Sequence, residues 1–185
     1  MIKDLLRETE NKMKKTLEVL EADLRTVRTG RASPAFVERL MVDYYGVATP
    51  LEQLATISAP EPQLLTIKPY DPGSAKNIER AIRASELGLT PNNDGKIIRL
   101  AVPRLTQERR NELIKVVHKR TEEARVSVRN IRRDANNDIR DFEKEKLVTE
   151  DEAERGREDL QKLTDRYIEK VDESGARKEK EIAEV

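Results

Sequence analysis

Five arginines between Arg125 and Arg140, in the run Arg-Val-Ser-Val-Arg-Asn-Ile-Arg-Arg and just beyond it, are the residues of this chain best suited to bind something. On a helix that turns about 100° per residue, Arg125, Arg129, Arg132, Arg133 and Arg140 share an arc roughly 100° wide, and His118 falls in it as well. The apolar residues Val117, Ala124, Val128, Ile131, Ala135, Ile139 and Phe142 centre roughly 120° away. Glu123, Asp134 and Asp138 lie on the far side of that apolar stripe. Such a helix has an inside, a cationic flank and an anionic flank. Arginine's rigid planar fork matches the oxygens of a phosphate and can also stack on a base. A solvated face with intrahelical ion pairs is the alternative, weakened because the acids at i±4 sit mostly on the other flank. Pairing with acids of another helix stays open.

Net charge is zero over 185 residues, with 36 basic and 36 acidic side chains. The sum conceals a segregation. Residues 109–140 hold ten Lys/Arg against five Asp/Glu, and residues 141–185 hold ten against sixteen. A local positive field in a neutral protein suits a polyanion, and the acidic segment limits indiscriminate adhesion. Two Phe, four Tyr and no Trp are too few for a base-stacking platform. Contact with a nucleic-acid backbone is therefore expected rather than base reading.

Other chemistry finds little support in the residues. No Gly-x-x-x-x-Gly-Lys loop occurs, no nucleophile is paired with a base, and one His cannot form a His/His metal pair. Glu150, Asp151, Glu152 and Glu154 read as helix-start acids that complement a macrodipole. The chain is expected not to be an enzyme, to hold no metal and to need no cofactor of its own. Without Cys it has no thiolate or disulfide chemistry. It has no apolar run of the ~20 residues a membrane span needs and no secretory pattern at Met1–Leu6. A cytoplasmic protein without membrane contact, and a monomer, is the expectation.

The elements that must position the arginines follow from periodicity. Charged residues make up 39% of the chain and apolar residues 36%, which suits long helices with narrow apolar stripes. Ile2, Leu6, Met13, Leu17, Leu20, Leu24 and Val27 mark a helix over residues 2–29, with Gly30 as its C-cap. A second helix of ~35–40 residues begins after Thr106 and carries the arginines. A third begins at Thr149, where Thr149 and Glu152 form a capping box. Three inward stripes make one bundle core. Gly156 and Gly175 in the third helix each cost about 1 kcal/mol relative to Ala, so fraying after Ala176 is expected.

Composition changes between Arg31 and Thr106: seven of the eight prolines, all but Pro34, lie from Pro50 to Pro103. Residues 37–45, 56–58, 64–68 and 97–102 read as strands, residues 74–86 as a helix, and Asn92-Asn93-Asp94-Gly95 as a turn. The fold class is α+β: a three-helix bundle from residues 1–30 and 105–185 that carries the arginine flank, and a small α+β domain inserted over 31–104. Gly30, Arg31 and Ala32 with Pro103, Arg104 and Leu105 form a two-segment hinge. Tyr44 and Tyr45 point to opposite faces of a strand, so one packs and the other is free for a partner.

Several segments match one family in order: Thr29-Gly30-Arg31-Ala32-Ser33-Pro34, Tyr44-Tyr45-Gly46, Pro50-Leu51, Asn92 with Asp94–Arg99, Leu105–Arg110 and Arg129–Asn136. Over essentially its full length the chain resembles bacterial ribosome recycling factor. The resemblance implies an elongated, L-shaped molecule of a three-helix bundle hinged to a β/α/β domain. It implies binding to the large ribosomal subunit and its ribosomal RNA, with Arg129, Arg132 and Arg133 in contact and Arg28 and Arg31 nearby. Elongation factor G would act on the small domain and supply the energy from GTP, splitting the ribosome after termination. Arg125 and Arg140 are added by helical geometry alone. Tyr70 stands where the family pattern has Trp, which bears on packing of the small domain. A helical chaperone cofactor is the competing class, and it would ignore ribosomes.

Overall fold

A computed structural model describes residues 1–184. The chain forms two compact units, one of Met1–Arg28 with Gln107–Glu184 and one of Thr29–Thr106.

The first unit is a bundle of α1 (Ile2–Arg25), α3 (Gln107–Lys144) and α4 (Glu150–Ala183). Each buries one stripe. Met13, Leu20 and Leu24 of α1, Val117, Val128 and Ile139 of α3, and Leu160, Tyr167 and Val171 of α4 are all nearly inaccessible to water. Burial of a large aliphatic side chain is worth roughly 1.5–3 kcal/mol, so these narrow stripes supply most of the unit's stability. Thr9, Thr121 and Thr164 are buried too, and each hydroxyl donates to the carbonyl four residues back at 2.7 Å, which leaves none of the three unsatisfied.

Three expectations about the helices change. First, α1 stops at Arg25, well short of Gly30. The Thr26 hydroxyl bonds Asp23 O at 2.6 Å, and the amides of Thr26 and Val27 close tight turns onto Asp23 and Leu24. These i−3 bonds take the carbonyls that a further α-turn would have used. Gly30 is therefore not the cap, although its φ of +81° does need a glycine. Second, α4 does not fray after Ala176: it runs to Ala183, and Ile182 is fully buried. Third, its glycines are sites of close helix approach. A Cβ at Gly175 would lie 2.6 Å from Thr121 Oγ1 of α3, and one at Gly156 would lie 3.0 Å from Ile2 Cγ2 of α1. The start of α4 agrees with its sequence: Thr149 Oγ1 accepts from the Glu152 amide at 3.2 Å, and Glu152 accepts from the Thr149 amide at 2.8 Å.

The second unit holds β1 (Met41–Tyr44) and β2 (Val47–Pro50) as a hairpin, and β3 (Ala55–Glu61), β4 (Leu64–Pro69), β5 (Pro91–Asn93) and β6 (Ile98–Ala101) as an antiparallel sheet in the order β3-β4-β6-β5. Helix α2 (Ala75–Ala84) buries Ile78 and Ile82 among Val42, Leu51, Leu65, Ile67, Ile98 and Leu100. Residues 37–40 form a turn rather than strand, following a short 3-10 helix at Pro34–Phe36. The periodicity gives no sign of β2 and β5, whose short runs carry prolines. Tyr70 is largely exposed, so the Tyr found in place of Trp leaves the core of this unit untouched.

Among the described residues no helix is long and apolar enough to cross a membrane. No group of three or more His, Cys, Asp or Glu among them could hold a metal ion.

Candidate nucleic-acid interface

The apolar stripe of α3 packs inward, which rotates the arginine arc onto the α3 side of the seam with α4. His118, Arg125 and Arg132 succeed one another every seven residues along that seam. On α4, running the other way, Glu179, Asp172 and Asp165 do the same. His118 Nε2 lies 3.1 Å from Glu179 Oε2, and Arg125 Nε donates to Asp172 Oδ1 at 2.5 Å. A seven-residue step on two antiparallel helices returns the same pair of faces to one another, so these are consecutive rungs.

The arginines separate into two kinds. Arg125 is engaged by two carboxylates, because its Nη1 also reaches Glu122 Oε2 at 2.8 Å, and its side chain is 30% exposed. Its hydrogen bonds, first to Glu122 and then to Asp172, raise its pKa, and the bond from Arg125 lowers that of Glu122. Arg129 is exposed, with Nη1 3.5 Å from Glu122 Oε1. Glu122 thus lies within the arginine arc, three residues before Arg125. The sequence pattern of acids on the far flank did not include it. Arg132, Arg133 and Arg140 are exposed, and among the described residues no carboxylate lies within ion-pair distance of them. Arg132 Nη1 donates instead to the neutral amide oxygen of Gln161 at 2.9 Å.

Arg132, Arg133 and Asn136 of α3 and Arg157, Leu160 and Gln161 of α4 surround a notch of about 210 Å³. Arg157 is held by Glu143 and Glu154, so the uncompensated charge at the notch comes from α3. Gln161 and Arg157 were not singled out from the sequence. They stand one and two turns before Asp165 on α4, and their part in the seam becomes visible only once α4 is aligned against α3.

The remaining candidates lie elsewhere. Arg28 belongs to the bundle unit, and the exposed Arg31 to the sheet unit. Of the expected hinge residues, Ala32 is tied within the sheet unit by its amide to Pro62 O at 2.7 Å. Val102, just before Pro103, is tied to Gln63 O at 2.8 Å. Tyr44 ends β1 and packs against the core, whereas Tyr45 stands in the hairpin turn at φ +50° and is 76% exposed. They do not diverge to opposite faces as a regular strand would require. The turn brings both hydroxyls to Asp71 Oδ2, at 3.4 Å for Tyr44 and 2.9 Å for Tyr45, with the rings edge to face at 4.6 Å. The Gly73 amide and then the Tyr45 hydroxyl lower the Asp71 pKa, and the same contact raises that of Tyr45. An unfavourable backbone conformation is thereby fixed by a side chain.

A three-helix bundle interrupted in sequence by a small sheet unit, with exposed arginines on one flank of α3, defines an α+β protein of two units. The description Ribosome recycling factor belongs to the family model that matches residues 20–183. The chain belongs to that family, whose members are non-enzymatic translation factors acting in ribosome recycling. It is 56% identical over 185 residues to the ribosome-recycling factor of Carboxydothermus hydrogenoformans, and 54% identical to that of Halalkalibacterium halodurans, with complete coverage of both chains in each case. A solution structure of the ribosome recycling factor superposes with a TM-score of 0.73 at 46% identity, covering 100% of this chain and 98% of the other. The chain is also similar, with a TM-score of 0.62 at 45% identity and 98% of each chain covered, to a chain described under models for the T. thermophilus ribosome recycling factor and the E. coli elongation factor G bound to the E. coli post-termination complex.

Proposed function

We infer that this chain docks on the large ribosomal subunit through the exposed arginines of α3, which grip the phosphate backbone of ribosomal RNA, and that it splits the post-termination ribosome with elongation factor G and GTP. The observation that carries the reading is the trio Arg132, Arg133 and Arg140, whose charge is left uncompensated on one flank while neighbouring arginines are paired. Phosphate recognition needs guanidinium groups that are not already neutralised. Arg129 extends the strip, Arg28 and Arg31 are added as RNA contacts by family position alone, and Arg125 serves the bundle more than the RNA. The sheet unit receives the push of elongation factor G, with residues 30–32 and 103–105 flexing as it moves. The Tyr45 ring, exposed and fixed by Asp71, is the contact proposed for a protein partner there. GTP belongs to elongation factor G, the factor works as a monomer, and its place is the cytoplasm.

Binding of Arg132→Ala and Arg133→Ala to isolated large subunits across a salt series tests the docking. Each variant is expected to bind more weakly, with a log-log salt slope about one unit shallower per lost phosphate contact. Wild-type affinity and slope in both variants would exclude the flank as the docking surface.

A further inference from the structure

The seam between α3 and α4 breaks its own pattern at the third rung. The first two rungs set a charged or chargeable α3 side chain against a carboxylate: His118 against Glu179 and Arg125 against Asp172. Seven residues on, the register sets Arg132 against Asp165. No ion pair joins them. Gln161, one turn before Asp165 on the same face of α4, stands between the two. Its Nε2 donates to Asp165 Oδ1 at 2.8 Å, and its Oε1 accepts from Arg132 Nη1 at 2.9 Å. The amide is oriented by both contacts, since only its nitrogen can satisfy the carboxylate and only its oxygen can receive the guanidinium.

This arrangement has an electrostatic consequence. A carboxylate beside Arg132 would neutralise it and compete with any phosphate for the same fork of N–H donors. An amide oxygen orders the side chain while leaving its full charge. Arg132 then lies at the mouth of the notch it shares with Arg133, beside Asn136. The volume of about 210 Å³ is several times the ~30 Å³ share of a water molecule, so a phosphate group with attendant waters has room.

We propose that Gln161 is a positioning residue: it shields Arg132 from Asp165 and holds the still-charged guanidinium at a notch that takes one phosphodiester group of ribosomal RNA. This rests on the docking reading above and adds to it a residue of α4 that touches no RNA in its own right. Without Gln161, Arg132 would fall to Asp165 and complete the third rung as Arg125 completes the second.

The test uses the full-length protein, large subunits and a salt series, with circular dichroism to establish that each exposed-site variant is folded. Gln161→Ala is expected to bind several-fold more weakly with a slope about one unit shallower, although no cationic residue has been removed. Adding Asp165→Asn to Gln161→Ala is expected to restore the slope, because the competing carboxylate is gone. Asp165→Asn alone is expected to bind like the wild type, and Gln161→Glu to resemble Arg132→Ala. Rescue by a change at Asp165 is a result that a purely structural role for Gln161 would not produce. A wild-type slope in Gln161→Ala, or no rescue by Asp165→Asn, overturns the role of Gln161 while a weakened Arg132→Ala preserves the docking surface. Wild-type binding by Arg132→Ala would remove that arginine from the surface, and the role of Gln161 with it.

Discussion

Gly175→Ala should destabilise the bundle, although helix propensity alone says the opposite. In a helix interior Ala is favoured over Gly by about 1 kcal/mol. At this position the new Cβ would sit 2.6 Å from Thr121 Oγ1 and 3.0 Å from its Cγ2, where ordinary contact between carbon atoms is 3.5–4.0 Å. Thr121 is 4% exposed and its hydroxyl already donates to Val117 O at 2.7 Å. One escape is for α3 and α4 to move apart by about 0.5–1 Å, which forfeits a quarter to a half of each contact along the seam. The other is for Thr121 to rotate, which leaves a buried hydroxyl unsatisfied at about 1–3 kcal/mol. Overpacking of this kind costs about 1–3 kcal/mol, which against the propensity gain leaves a net loss of up to about 2 kcal/mol. Urea titration followed by helical circular dichroism would read it as a lower midpoint with little change in slope. Thr121→Ala should relieve the clash, so the double variant should show a coupling of about 1–2 kcal/mol. Gly156→Ala is the internal control. Its Cβ meets chiefly the flexible Ile2 side chain, at 3.0 and 3.2 Å, so the propensity gain should win or break even. A Gly175→Ala protein stabilised by the full propensity gain of about 1 kcal/mol would refute close approach at this seam.

Other outcomes follow from the same structure. Arg125→Ala should leave the salt slope of large-subunit binding nearly unchanged while lowering bundle stability by no more than about 1 kcal/mol, since Glu122 and Asp172 remain solvated once it is gone; a slope as shallow as that of Arg132→Ala would place Arg125 on the RNA. Thr149→Ala should cost about 1 kcal/mol in a urea titration, as the loss of an N-cap does. The Glu152 carboxylate, held below its ordinary pKa by the Thr149 amide and hydroxyl, contributes stability above the unfolded value near 4.3. That contribution is lost as pH falls through the lowered folded value, so Glu152→Gln should narrow its deficit against wild type when both are unfolded in acid; an unchanging deficit would mean the capping box does not form. Tyr45→Phe should keep the sheet unit folded but free the ring from Asp71, and backbone amide exchange at Tyr45 and Gly46 should quicken; unchanged protection would show that the turn holds without the hydroxyl.

Much of this protein is local and could be read from the chain. Periods of three and four fixed the three long helices, because a narrow apolar stripe on a highly charged helix has only one face to bury. Thr149 and Glu152 marked the start of α4 because a capping box involves residues three apart. The arginine arc was legible for the same reason, since six positions on one helix fix their mutual angles wherever that helix packs. Short, proline-bearing β2 and β5 were not legible, as their pairing depends on partners across a sheet. The end of α1 was missed because Thr26 competes for backbone that the apolar pattern assigns to the helix.

Which arginines stay uncompensated was decided in large part by the tertiary structure. Arg125 and Arg132 are equivalent by type and by helical angle. Glu122, three residues before Arg125, is a local partner that Arg132 lacks. The rest of the difference arises because α4 sets Asp172 against one and Gln161 against the other, across sequence separations of 47 and 29 residues. Gly175 is likewise a poor helix residue in isolation and a seam residue once Thr121 is set against it. A sequence determines how charges are arranged along one helix, but neutralisation depends on what comes within about 4 Å in space, and that distance exists only after the bundle has closed.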